Sequence, residues 1–176
     1  MTAMSSLEQT LVFLIHAIKQ FCFGFETLND NADRYQDGSA AKAFYMSAIY
    51  NYLAVFYLLD KNKGDPVGGC FYGALKPHGL ADILEPIRET LESPVGTTTF
   101  GEIVRIFRNK AIVHARYRDD DVDRIYAAAD MADPAIAAEF HALLWQVYEQ
   151  TRSLPVAMIR RCGLKLEDFG IREVDS

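Results

Sequence analysis

Apolar residues along this 176-residue chain recur mostly at steps of three and four, the spacing of helices that bury one face. Leu7, Leu11, Ile15, Ile18, Cys22 and Phe25 form the first such stripe. Ser5 and Glu8 precede it in the spacing of a capping box, which predicts a first helix ending near Leu28. The polar run 29–39, with Gly38, breaks the pattern, and Ser39 is placed to cap a second helix reaching about Lys61 and lying antiparallel to the first. Its stretch Ala43 to Leu59 carries no charge, yet Ser47, Asn51 and Tyr45, Tyr50, Tyr52 and Tyr57 interrupt it. It is shorter than the roughly 20 apolar residues that cross a bilayer, and a core helix packed on most sides is expected.

Glycines and prolines between Gly64 and Gly79 predict a loop, and a third helix is expected around Leu80 to Ser93, with its start blurred by Pro86. Pro94, Gly96 and three threonines form a break. Thr99 and Glu102 then repeat the capping-box spacing and open a helix whose apolar stripe is Ile103, Phe107, Ala111 and His114. Asp133 and Pro134 open another, with Ile136, Phe140, Leu143, Leu144, Val147, Tyr148 and Leu154 on its apolar side and Pro155 as its stop. A short segment to Cys162 ends at Gly163, followed by an irregular tail. The expected class is all-α, an up-and-down helical bundle of four to five main helices with short additional helices. A single domain spans 1–176, with a core bundle over about 5–154 and a C-terminal extension over 155–176.

Half of the residues are apolar, enough for one sizeable core. The three cysteines, Cys22, Cys70 and Cys162, are odd in number and widely spaced, which fits reduced thiols in the cytoplasm and neither a zinc knuckle nor a redox pair. Met1 to Ser6 lacks the order of a secretory signal, so neither export nor a membrane partner is expected. The glycine-rich loop has no strand before it and no Lys-Ser/Thr in register, so it is not a phosphate cradle. Asp119, Asp120, Asp121 and Asp123 lack the glycine and distant glutamate of a calcium loop and suit a solvated turn or a helix start. No metal and no cofactor are implied. His141 and Trp145, one turn apart, are expected to serve core or interface packing and not base stacking.

Chemistry concentrates in the run Phe-Arg-Asn-Lys-Ala-Ile-Val-His, from Phe107 to His114. An Arg-to-His spacing of this kind arises by chance on the order of once in such a chain, so its weight comes from the surroundings. The chain carries a net charge of −6, yet between Ile103 and Arg118 there are five basic residues, Arg105, Arg108, Lys110, Arg116 and Arg118, and no acidic one. That local positive patch suits contact with a few phosphates. A guanidinium can hold a phosphate and stabilise charge building on it, and an imidazole near neutrality can move the proton that cleavage by a ribose 2′-hydroxyl requires. On a regular helix the six-residue offset separates Arg108 from His114 by about 120°. One chain supplies one such imidazole where the reaction needs both a base and an acid, so a two-fold dimer apposing two Arg108/His114 sets is the arrangement expected.

Arg108, Asn109, Lys110 and the following residues through His114 resemble the signature of HEPN domains, in which an arginine, a polar residue and a later histidine lie on one helix of a bundle. Phe44 to Asp60, ending Tyr-Leu-Leu-Asp, resembles the second helix of abortive-infection-type HEPN proteins. The likeness covers about Leu7 to Arg118. It implies a metal-independent endoribonuclease acting as a homodimer on RNA, as a toxin or phage-defence component, with an antitoxin such as a small nucleotidyltransferase as a further partner. It also implies Arg108 and His114 as active-site residues, with Asn109 in the polar position and Arg105, Lys110, Arg116 and Arg118 on flanking phosphates. Two other readings fit the same residues. One is a HEPN-like module that binds nucleotide, RNA or a partner protein without cutting. The other is a helical interaction protein in which the Arg108/His114 spacing is accidental.

Overall fold

The first helix, α1 (Ser6–Asp30), turns Leu11, Leu14, Ile15, Ile18, Phe21 and Phe25 into the core, while Leu7 and Cys22 are only partly covered. The computed structural model describes residues 6–34, 42, 45–46, 49–50, 53, 75–107 and 133–171, and every structural statement below concerns these. Lys42, Tyr45, Met46, Ile49, Tyr50 and Leu53 are helical, and Ile49, Tyr50 and Leu53 are buried, in steps of three and four that agree with one inward face. The caps expected at Ser5 and Ser39, the glycine-rich residues 64–74 and the aspartates at 119–123 lie outside the described residues.

After Leu75 come two 3₁₀ turns, Lys76–His78 and Ala81–Leu84, and then α2 (Glu85–Leu91). Pro86 falls in the first turn of α2, where its missing N–H would have had no helical partner, so the α-helix starts at this point and the turn before it is 3₁₀. The break at 94–99 is a small antiparallel ribbon, a difference from expectation: β1 (Pro94–Val95) pairs with β2 (Thr98–Thr99). Gly96, at φ 56°, supplies the left-handed residue of the two-residue turn. Val95 is fully buried against the helix that follows Asp133, and the Phe100 amide donates to the Ser93 carbonyl at 2.9 Å to close the ribbon's open end.

α3 (Phe100–Phe107) starts under the expected cap, with the Glu102 amide donating to the Thr99 hydroxyl at 3.3 Å. α4 (Pro134–Arg152) starts at Asp133, whose carboxylate accepts from the Ala135 amide at 2.8 Å. Phe140, Leu144, Val147 and Tyr148 are buried along it. α4 packs against α1, α2 and β1, and so collects the elements around one apolar core. The buried Thr90 hydroxyl of α2 donates to the Pro86 carbonyl at 3.0 Å and accepts from the Gln146 amide of α4 at 3.1 Å, so this polar contact inside the core is satisfied.

α5 (Leu154–Arg161) buries Leu154, Pro155, Met158 and Ile159 and packs on α1 and α4. Within the stretch that the sequence assigns to a C-terminal extension, 155–176, Met158, Ile159 and Leu166 belong to the same buried core as α1 and α4. α5 ends at Gly163, φ 68°, where the Gly163 amide reaches the Arg160 carbonyl (3.0 Å) and the Leu164 amide the Ile159 carbonyl (3.1 Å). The tail is not irregular throughout: Leu166–Phe169 is a 3₁₀ turn with Leu166 buried. Its Ile171 amide repeats the second of those bonds, to the Leu166 carbonyl at 3.1 Å. The protein is all-α in class, the two-residue strands aside.

Phe140 touches Phe100 and Phe107 at ring-centroid distances of 5.0 and 6.5 Å and is 1% exposed. Phe140→Ala is expected to cost about 3–5 kcal/mol of stability, the range for emptying a buried phenylalanine site. Urea denaturation followed by circular dichroism measures it, and a loss under 1 kcal/mol contradicts this role.

Candidate functional site

The residue before the Arg-to-His run is the best-defined part of the expected site. Phe107, the last described residue of α3, stacks on Tyr50 with centroids 5.2 Å apart and planes at 20°, and meets Phe140 as well. Phe100 and Phe107 are seven residues apart, two turns of helix, so both rings of α3 face Phe140. The chain passes from Phe107 directly into Arg108. Arg108, Asn109, Lys110, His114, Arg116 and Arg118 lie outside the described residues.

Arg105 is described. Its Nε donates to Glu102 Oε2 at 2.9 Å, and a second guanidinium nitrogen meets Glu102 Oε1, a two-point pair one turn apart on α3. The acid-free window beginning at Ile103 therefore stops one residue short of the carboxylate that offsets its first arginine. Both side chains are about one-third exposed, so a phosphate at Arg105 meets a charge already largely balanced.

A cavity of about 340 Å³ opens between the C-terminal half of α1, the helical residues at 42–50 and the middle of α4. Phe25, Met46, Ile49, Tyr50, Phe140 and Leu144 form most of its apolar wall, while Asn29, Lys42 and His141 bring polar groups to it. Trp145 also lines it and remains 45% exposed. Of the core or interface packing expected for His141 and Trp145, the core alternative does not describe Trp145. Trp145 packs one side on Phe25 (5.2 Å between centroids) and Tyr148 (5.5 Å), but it is not a core residue, and with His141 it borders an open cavity. The sequence signal was present in the pair's one-turn spacing; what faced the pair was not.

Beside this cavity α1 and α4 are joined by a polar contact. The Tyr148 hydroxyl donates to Glu26 Oε1 at 2.5 Å, and its ring stacks on Phe25 at 4.6 Å. The bond to Glu26, aided by burial, pushes the phenol up to about 12. Cys22, one turn before Glu26, is a free thiol pushed up to about 11, chiefly by burial and then by the Glu26 charge, against a smaller opposite effect of Arg152. Burial also raises the Tyr50 phenol and the Cys162 thiol. A neutral, inert Cys22 agrees with a structural thiol and not with a nucleophile. Among the described residues no three His, Cys, Asp or Glu side chains are grouped to hold a metal ion.

α1 has a property that the reading of its stripe passed over. Leu7–Asp30 is long and apolar enough to cross a membrane, with a mean hydropathy of 1.4 in its most apolar window, of which 39% is buried inside the protein. Val12, Phe13 and Phe23 stand exposed on it, Phe23 in edge contact with Tyr45. Compared with known proteins, the chain matches no family model, no curated protein and no solved structure.

The raised thiol yields a direct test. Two units above the ordinary value, Cys22 in the native protein should react with iodoacetamide at pH 8 about a hundredfold more slowly than in urea. Peptide mass spectrometry of the Cys22 fragment reads the rate, and equal rates in the two states contradict the assignment.

Proposed function

We propose that this chain is a metal-independent endoribonuclease of HEPN type, working in the cytoplasm as a homodimer and serving as a toxin or phage-defence component. In this reading the helices form an up-and-down bundle. Arg108, Asn109 and His114 of two copies face each other across a two-fold axis. The observation that carries the proposal is the run from Phe107 to His114. It combines a guanidinium, an amide and an imidazole in the spacing of the HEPN signature, and its first residue, Phe107, lies in a capped helix and is pinned on Tyr50 and Phe140.

The reaction follows from the groups. One His114 takes the proton of the ribose 2′-hydroxyl as it attacks phosphorus, and the His114 of the second copy protonates the leaving 5′-oxygen. Arg108 holds the phosphate and stabilises the charge that builds on it, while Asn109 orients the pair. Lys110, Arg116 and Arg118 hold flanking phosphates. Arg105 joins them only in competition with Glu102, so its share of the grip is the smallest. An antitoxin, such as a small nucleotidyltransferase, is the expected protein partner.

Cleavage of RNA in the presence of a chelator tests the proposal. Wild-type protein should cut, and His114→Ala or Arg108→Ala should each lower the rate at least about a hundredfold, the usual weight of a positioned acid or base. If the wild type binds RNA without cutting it, the non-catalytic HEPN-like module binding nucleotide, RNA or a partner protein replaces this reading. If it cuts and the variants cut equally well, Arg108 and His114 are not the site.

A further inference from the structure

The cavity between α1, the helical residues at 42–50 and α4 has an apolar wall that includes one half-exposed ring. Of the twelve described residues that line it, nine carry apolar or aromatic side chains, and Asn29, Lys42 and His141 are the others. Lys42 already has an interaction partner in the fold, so a bound anion would share it with that contact. A charged occupant would also give up hydration along the apolar wall, whereas an uncharged one gives up little. The volume of about 340 Å³ is near the lower end of the roughly 300–1,000 Å³ spanned by small-molecule sites, which limits the occupant to a small molecule.

Trp145 selects the shape of the occupant. It is 45% exposed, while Phe25, Tyr50 and Phe140 of the same lining are 9%, 7% and 1% exposed. Its indole is therefore the ring among these four that gains most cover when something lies beside it. A flat aromatic molecule gives that cover within a small volume and adds ring-to-ring attraction beyond the area it buries. Met46, partly buried in the same wall, brings a thioether, whose polarizable sulfur also favours an aromatic neighbour. Asn29 and His141 bring hydrogen-bonding groups that suit a single hydroxyl on such a molecule. We propose that the cavity binds a small uncharged aromatic molecule, with its ring beside Trp145 and Met46. This site is separate from the Arg108–His114 chemistry and stands or falls without it.

Trp145 is the single tryptophan of the chain, so its emission reports occupancy of this cavity directly. The full-length protein is titrated with benzyl alcohol, benzoate and benzylamine, and free N-acetyltryptophanamide is titrated alongside to measure simple quenching. Emission should change saturably with benzyl alcohol, at concentrations on the order of millimolar for a ligand of so few atoms. Benzoate and benzylamine keep the ring and add a negative or a positive charge, and each should bind at least about tenfold more weakly. Met46→Ser and Leu28→Ser, which make the wall polar at two partly buried positions, should each weaken benzyl alcohol by about tenfold, with circular dichroism confirming that the variant keeps its fold. The proposal is overturned if benzyl alcohol gives no saturable change beyond that of the free tryptophan derivative, or if either charged probe binds as tightly. It is equally overturned if a variant that keeps its fold binds benzyl alcohol as well as the wild type. The two charged probes need no variant, so the proposal is tested even where a substitution unfolds the chain. RNA cleavage is not read in any arm, so a failure here leaves the ribonuclease reading untouched.

Discussion

Phe140 is the residue on which the geometry of this protein turns. From the middle of α4 it meets both ends of α3, Phe100 at 5.0 Å and Phe107 at 6.5 Å, and Phe107 in turn stacks on Tyr50. Helices in water draw most of their stability from packing an apolar face and not from their own hydrogen bonds. The two phenylalanines of α3, placed two turns apart, supply that packing. Phe107, the last described residue before the basic run, is therefore held by an aromatic contact with α4.

The same ring belongs to a second structure. Phe140 and Tyr50 hold Phe107, and both also line the cavity bordered by Lys42, His141 and Trp145. Phe140 and Tyr50 thus hold the residue from which the basic run continues in the sequence, and they also form part of an apolar recess. The polar contacts nearby are structural. Tyr148 with Glu26 ties α4 to α1, Thr90 with Gln146 ties α4 to α2, and the Cys22 thiol is held in its neutral form. Each satisfies a group whose burial would otherwise be costly.

Caps and stops could be read well ahead of the structure. Asp133 before Pro134, Thr99 with Glu102 and Gly163 after Cys162 act through bonds to residues two to five positions away, so the local sequence contains both partners. The α1 and α4 stripes were readable for a related reason, because one face of a helix repeats along the chain. Less visible were the two strands of two residues at 94–99, which are too short for an alternation to show. The acid-free window from Ile103 to Arg118 begins one residue after Glu102, the carboxylate that pairs with Arg105 in the fold. The Arg108–His114 run remains a sequence observation, resting on residue type and spacing.

Local order, then, was written in the chain: the helical class, the starts of α3 and α4, the stop after α5 at Gly163, and the identity of the basic run, all of which depend on neighbours along the backbone, whereas Pro155, expected to stop α4, lies in the first turn of α5. Packing decided the rest. That Trp145 is 45% exposed while Phe140, five residues earlier, is 1% exposed depends on which helices lie across from each, and this is set by contacts between residues far apart in the sequence, such as Phe25 with Trp145 and Tyr50 with Phe107. A stripe announces that a face is to be covered, but only the folded chain determines what covers it and where the cover stops.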